Sequence, residues 1–350
     1  MDAIMSQIDR FPNTRYLGSK RKLLPVLRDV FSKLSFETAL DPFSGTAAVA
    51  YLLKSMEKRV TAGDTMAFNA LVARALVVNQ TTRLGASVDT FLERVGRVES
   101  RGGFIEQTFD GVFYPRDENR FLDHVLVALG CDEGIERDML LYCVGQAALA
   151  KRPYNLFHRA NLYMRERDVN RSFGNKTTWD TPFDVLIRRF ADELDNAVFE
   201  STKPCAAVMS DVLSVDPGGF DLVYLDPPYV SQKGMGVDYA DYYHFLEGLT
   251  MPDRWSERIL HRYKHKPLSG KRESPFVDAK RIEAAFEAAI TRFKDSILVI
   301  SYRSDGIPDI SQIKGWLERV GKRVSVVDVG RYIYALSTNR KSKEIILLGQ

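Results

Sequence analysis

Residues 221–229, Asp-Leu-Val-Tyr-Leu-Asp-Pro-Pro-Tyr, set an acid, two prolines and a tyrosine directly after a short apolar run. Breakers bound that run on both sides, Pro217-Gly218-Gly219 before it and the prolines after it, so it reads as a buried strand. Pro227 and Pro228 carry no N–H for a ladder, and the strand must stop there. Their fixed φ holds Asp226 and Tyr229 in a stiff, extended loop. Ligands of open α/β sheets bind at the carboxyl ends of strands. A carboxylate and an aromatic ring fixed at such an edge suit a flat, polar ligand.

A second constellation lies upstream. Thr38-Ala39-Leu40 leads into Asp41-Pro42-Phe43-Ser44-Gly45-Thr46-Ala47 and then an apolar helical run, a strand–turn–helix pattern. Small residues in such a turn let the backbone approach a ligand closely, although only one of the usual glycines is present. A strand at residues 59–63 ends at Asp64, about twenty residues beyond Gly45, the spacing at which a carboxylate meets ribose hydroxyls in dinucleotide sites. Asp64 is equally suited to capping the helix expected over Met66 to Val78. Another strand, Cys205 to Asp211, again ends on an acid. Before all of these, Arg15 to Leu24 is basic, with a turn at Gly18-Ser19 and Pro25 in the first turn of a helix.

These elements need a scaffold, and 350 residues with 45% hydrophobic and 27% charged content provide one large soluble domain or one domain with an insertion. From about 85 to 203 the βα alternation stops and the pattern turns helical, over Val88–Val98, Asn119–Leu129, Glu136–Leu149 and Phe183–Phe199. The alternation then resumes and closes with strands at 323–329, 332–336 and 344–348, the last two forming a hairpin around Asn339 to Lys343. The net charge of +3 is small, so affinity for an acidic partner must come from local patches. Two exist. Lys151 to Lys176 holds seven Lys or Arg against two acids, interleaved with Tyr154, Phe157, Tyr163 and Phe173 and with amides such as Asn155. Arg254 to Arg272 holds seven against one. Basic stretches with aromatics and amides suit nucleic acid. His261 and His265 share a helix face if that tract is helical, but no third metal ligand is evident and the flanking cations repel a metal; no metal is expected. Cys131, Cys143 and Cys205 lack ligand spacing and read as reduced thiols, two of them in the core. No window resembles a membrane span or a signal peptide.

In order along the chain, a basic Gly-Ser-Lys segment, Asp-Pro-Phe-Ser-Gly, an insertion and Asp-Pro-Pro-Tyr resemble the alpha-type, Dam-like adenine-N6 DNA methyltransferases, including modification enzymes of restriction systems. Tyr242 to Glu247, Ile300-Ser301-Tyr302 and the closing Asn339 to Leu348 segment extend the resemblance. It covers most of the chain except roughly residues 85–200. The resemblance implies an α/β fold: a Rossmann-like class I methyltransferase mixed sheet with a C-terminal β-hairpin, and an inserted, mainly helical target-recognition domain. The catalytic domain is then expected at 1–84 and 204–350, the insertion at 85–203.

Carried over by position, the resemblance implies that S-adenosyl-L-methionine is the cofactor. Tyr16 and Lys20 would contact it, Lys20 at its polar end. Asp41, Phe43, Ser44 and Gly45 would surround its methionine portion, Asp64 its ribose, and Asp211 its adenine amino group. Ala47 stands where the family often has a second glycine, and its methyl is expected to weaken that binding slightly. Asp226, Pro227, Pro228 and Tyr229 are the expected catalytic residues. The Asp226 carboxylate and Pro227 carbonyl can hold both hydrogens of a target amino group, and Tyr229 can stack on its base at about 1–3 kcal/mol. The target atom is unreachable inside a duplex, so the base must flip out. Lys151, Arg152, Tyr154, Asn155, Arg159 and Arg165 are expected to read bases, and Arg262, Lys264 and Lys266 to contact phosphates. Double-stranded DNA is the expected partner, with a possible cognate restriction endonuclease, in the bacterial cytoplasm or nucleoid, as a monomer or weak dimer. The same grip also fits cytosine N4 or a protein glutamine amide, and the fold alone fits a DNA-binding regulator without catalysis.

Overall fold

The computed structural model describes residues 3–99, 101–167, 176–234, 236–271, 273–331 and 342–350. Its centre is a seven-stranded sheet built from β1 (Thr38–Asp41), β2 (Arg59–Asp64), β3 (Ala206–Met209), β4 (Leu222–Leu225), β6 (Ile297–Arg303), β8 (Val324–Arg331) and β9 (Lys343–Gly349). A separate two-stranded pair joins β5 (Val230–Ser231) to β7 (Gly306–Ile307). The sheet order is β3-β2-β1-β4-β6-β9-β8. The first five of these run parallel, whereas β9 lies antiparallel to both β6 and β8. This is the expected doubly wound, Rossmann-like mixed sheet. Chain order reverses between β1 and β4, so the crevice at their carboxyl ends is the topological switch point. Asp41 ends β1 there, and Asp226 follows β4.

All four residues of β4 are buried, which suits a strand with helices on both faces. The helix expected over Met66 to Val78 is divided: an α-helix, Ala67–Ala73, runs into a wide π turn, Arg74–Val78, where the Asn79 N–H reaches back to the Arg74 carbonyl. The strand expected at 332–336, much of the turn at 339–343, Phe173 and the basic residues Arg171 and Arg272 lie outside the described residues.

Between that π turn and β3 the described residues are helical, chiefly Ser87–Gly96, Arg116–Leu129, Gly134–Ala150 and Phe183–Ala197. Helix 134–150 is buried along most of its length because it lies against both helix 67–73 and helix 183–197. One continuous core therefore joins the helical region to one face of the sheet. Cys143 belongs to that core, but Cys205 is half-buried and Cys131 exposed, so the expectation of two core thiols fails by one.

Gly145 marks the tightest approach: a Cβ there would lie 2.3 Å from the ring of Phe68, which has no solvent-exposed surface. Overpacking of this kind costs about 1–3 kcal/mol. Gly145→Ala is therefore expected to lower the thermal midpoint by several degrees; an unchanged melting curve would show that the two helices can separate freely.

Candidate active site

The site is built by the loops at the carboxyl ends of β1, β2, β3 and β4, roofed by residues 238–240 and 274–277. They line one cleft that opens to solvent. All eight residues expected to bind the cofactor line it: Tyr16, Lys20, Asp41, Phe43, Ser44, Gly45, Asp64 and Asp211. Asp226 and Pro228 line it too, whereas Pro227 is buried and Tyr229 stands behind the wall.

The turn after β1 is closed by backbone bonds, Ser44 N–H to the Gly63 carbonyl and Ala47 N–H to the Ser44 carbonyl. Asp64 ties it down further. One carboxylate oxygen accepts from the Gly45 N–H (3.1 Å) and Asn69 Nδ2 (3.0 Å), and the other from the Met66 N–H (2.9 Å). Asp64 thus ties down the turn before helix 67–73 while facing the cleft, and the expected capping of that helix falls instead to Glu247, which accepts from the Ala67 and Phe68 N–H groups. Ala47 adopts a left-handed conformation (φ 61°) at the start of helix 48–55 and is fully buried. Its methyl does not line the cleft, so the expected crowding of the ligand is corrected. A glycine suits this position for its backbone, and alanine costs about 1 kcal/mol of strain there.

Tyr16 forms the side wall by stacking on Tyr243 (centroids 4.0 Å apart) and Tyr239 (5.7 Å). The roof sits directly on the basic loop: at Gly18 (φ +80°) a Cβ would meet the Tyr239 hydroxyl at 2.5 Å. Lys271 holds the roof from outside, 2.7 Å from both Asp238 and Asp241.

At the deepest point Lys20 Nζ lies 2.6 Å from Asp226 Oδ2 and 3.9 Å from Glu344 Oε1. The Tyr229 hydroxyl lies 3.0 Å from Asp226 Oδ1 and 2.6 Å from Glu344 Oε1. Burial pushes the Asp226 carboxyl up to about 6 against the pull of Lys20, with Glu344 adding to the rise. Although burial disfavours its charge, Lys20 is held above the usual lysine range by Asp226 and Glu344. Burial also pushes Asp41 well above the carboxylate range, and the charges of Asp226 and Asp64 add to it. Among the described residues, the buried atoms Asp41 Oδ1, Ser44 Oγ and Asn69 Oδ1 of the cleft wall find no hydrogen-bond partner. Such atoms call for a ligand.

Sequence reasoning missed Asn69, Tyr239, Phe276 and Glu344. Tyr239 belongs to a tyrosine-rich segment, a usable signal; the other three sit in ordinary helix, loop and strand patterns.

The expected DNA-contacting residues divide sharply. Lys151, Arg152 and Arg165 are only 1%, 1% and 8% exposed, and the surface role expected from their charge is corrected to an internal one. Glu118 pairs with Lys151 (2.9 Å) and with both terminal nitrogens of Arg165 (2.8 Å each). Arg152 donates to the carbonyls of Phe113, Leu156 and Arg159 and to the Asn161 side chain. Tyr154 and Arg159 are exposed and Asn155 is half-buried. His261, Arg262, Tyr263 and Lys264 are exposed, with Lys266 half-buried, on a loop closed by the Ile259–Leu268 bridge and by Leu260 N–H to the Pro267 carbonyl. That loop is not a helix, so the two histidines share no helix face. Among the described residues no group of three or more His, Cys, Asp or Glu is arranged to hold a metal. Among them also, no helix is long and apolar enough to cross a membrane.

The sequence profile of the D12 class N6 adenine-specific DNA methyltransferases matches residues 16–269. The chain belongs to that family. It is a DNA adenine methyltransferase, which decides among the acceptors left open above in favour of adenine N6. Its relatives include the type II methyltransferase M2.HphI of Haemophilus parahaemolyticus, 23% identical over 97% of both chains. The type II methyltransferase M.NlaIII of Neisseria lactamica is 23% identical over 88% of each. The modification methylase StsI of Streptococcus sanguinis is 23% identical, with 95% of this chain matching half of that protein.

The raised Asp226 carboxyl makes the methyltransferase's pH dependence testable. In the role proposed below, as acceptor for the target amino group, Asp226 works best ionised, and its protonation sets in as pH falls through about 6. Methyl transfer measured as kcat/KM should fall on an acid limb near pH 6. A limb near the ordinary carboxylate range, about pH 4, would contradict this environment.

Proposed function

We propose that this chain modifies adenine N6 at a specific DNA sequence as part of a type II restriction–modification system, using S-adenosyl-L-methionine and a flipped-out base. The observation that carries the reading is the convergence of Asp226 and the Phe43-Ser44-Gly45 turn on one cleft with unpartnered buried acceptors. S-adenosylmethionine fits those acceptors: it offers an ammonium, ribose hydroxyls and an adenine amino group, and it supplies a methyl group on a sulfonium. Asp41, Ser44, Asp64, Asn69 and Asp211 are the residues proposed to hold it, with Tyr16 as a flanking ring.

An adenine amino group is a poor nucleophile because its lone pair is delocalised into the ring. Asp226 and the Pro227 carbonyl, accepting its two hydrogens, favour a pyramidal nitrogen with the lone pair aimed at the methyl. Asp226, whose carboxyl burial raises above the usual range, can then take the proton that the nitrogen must lose. Tyr229 and its neighbours position the base, so the rate gain comes from orientation and electrostatics. Lys20 holds the Asp226 acceptor between turnovers and must release it when the amino group arrives.

Residues 85–203 are the proposed target-reading insertion, and the exposed loop 259–268 the proposed phosphate contact. One site per chain makes a monomer sufficient. The relatives named as type II methyltransferases support a cognate endonuclease as partner.

Asp226→Ala should keep S-adenosylmethionine affinity in calorimetry while N6-methyladenine disappears from the DNA of an otherwise methylation-free host. Near-normal methylation in that variant would remove Asp226 from the mechanism. The two classes of basic residue should also separate. Arg152→Ala, which strips the partner from several buried acceptors, is expected to destabilise the fold by about 3 kcal/mol. Arg262→Ala with Lys264→Ala should leave stability intact and flatten the dependence of DNA affinity on salt by about one to two phosphate contacts. An unaltered salt slope would move the phosphate contact elsewhere.

A further inference from the structure

Glu344, on the strand β9, contributes nothing to the cleft lining, yet its carboxylate reaches the back of the site. It has no solvent-exposed surface. It faces Arg303 across the β6–β9 ladder at backbone level, and its Oε1 gathers Ser301 Oγ (2.5 Å), the Tyr229 hydroxyl (2.6 Å) and, at 3.9 Å, Lys20 Nζ. A carboxylate removed from water needs such donors to remain charged.

We propose that Glu344 is a positioning residue for methyl transfer: it takes the hydroxyl proton of Tyr229, which fixes that ring and leaves Asp226 free to accept from the target amino group. The inference rests on the reading of Asp226 and Tyr229 as the grip on adenine. A phenol has one proton to give, and the Tyr229 oxygen has two carboxylates within reach. The contact to Glu344 is the shorter, 2.6 Å against 3.0 Å to Asp226, and the shorter charge-assisted bond takes the proton. Without Glu344 that proton turns to Asp226 Oδ1 and draws negative charge away from the carboxylate whose other oxygen takes the adenine amino group. Ser301 keeps Glu344 in place from the neighbouring strand, and the edge contact of Tyr229 with Tyr302 (5.0 Å, 82°) fixes the ring about its other axis. Glu344 also adds its negative charge to the field at Asp226.

The test compares Glu344→Gln, Tyr229→Phe and the double variant in single-turnover methylation of unmethylated plasmid DNA, with S-adenosylmethionine affinity and melting curves measured in parallel. Glu344→Gln should lower the rate roughly tenfold or more with donor affinity unchanged. Its acid limb should move below that of the parent, because Asp226 has lost a negative neighbour. In the Tyr229→Phe background the same change should add less than about twofold, since the hydroxyl it acts through is gone. A parental rate and acid limb in Glu344→Gln, or independent, multiplying losses in the double variant, overturn the proposal. If Glu344→Gln does not fold, Tyr229→Phe reads the same contact, and a parental rate there overturns it equally. Asp226→Ala alongside separates the two levels. Activity in Asp226→Ala sinks the grip itself, whereas an inactive Asp226→Ala with a fully active Glu344→Gln sinks the role of Glu344 alone.

Discussion

The Asp226 carboxylate lies at the cleft wall, largely withdrawn from solvent, between Lys20 and the Tyr229 hydroxyl, with Glu344 behind them. A buried charge of this kind holds only while its partners stay in register, and those partners come from widely separated parts of the chain. Lys20 comes from the 3₁₀ turn Lys20–Leu23 ahead of β1, Tyr229 from the loop after β4, and Glu344 from β9. The sheet order brings them together: β4 and β6 are neighbours, β9 pairs with β6, and the loop bearing Lys20 lies over the β1–β4 crevice.

Opposite this cluster the cleft wall has the reverse character. Among the described residues Asp41, Ser44 and Asn69 hold buried polar atoms without a hydrogen-bond partner, a condition that a folded protein tolerates where a ligand completes it. One side of the cleft is therefore already satisfied by its own lysine, and the other waits for hydrogen-bond donors from outside. In the proposed mechanism the first region exchanges partners during turnover and the second only binds.

Much of this was legible in the sequence because the relevant signals are local. Two prolines after an apolar run stop a strand wherever they occur, and small residues after Asp41 permit only a tight turn, so the ends of β4 and β1 could be read directly. Asp64 carried two readings, ligand contact and cap; its carboxylate ties Gly45 and Met66 together at the cleft, while Glu247, distant in sequence, accepts from the first N–H groups of helix 67–73. What the sequence left hidden depends on tertiary placement. Arg152 and Arg165 look like surface cations in a basic run, but an aromatic-lined interior with Glu118 and several free carbonyls absorbs them. Glu344 looks like an alternating strand residue; only the β6–β9 pairing turns it toward Tyr229. The π turn at Arg74–Val78 likewise has no mark in the helical pattern, and it occurs where Arg74 meets Asp138 of the helical region.

The central claim is that Asp226 exchanges Lys20 for the amino group of the target adenine. The most direct measurement is a crystal structure of the protein with its cognate duplex and an unreactive analogue of the methyl donor. The expected complex holds an extruded adenine with N6 within hydrogen-bonding distance of Asp226 Oδ2 and the Pro227 carbonyl, and Lys20 Nζ withdrawn from that carboxylate. A bound adenine whose amino group lies elsewhere, with the 2.6 Å contact between Lys20 and Asp226 intact, would contradict it.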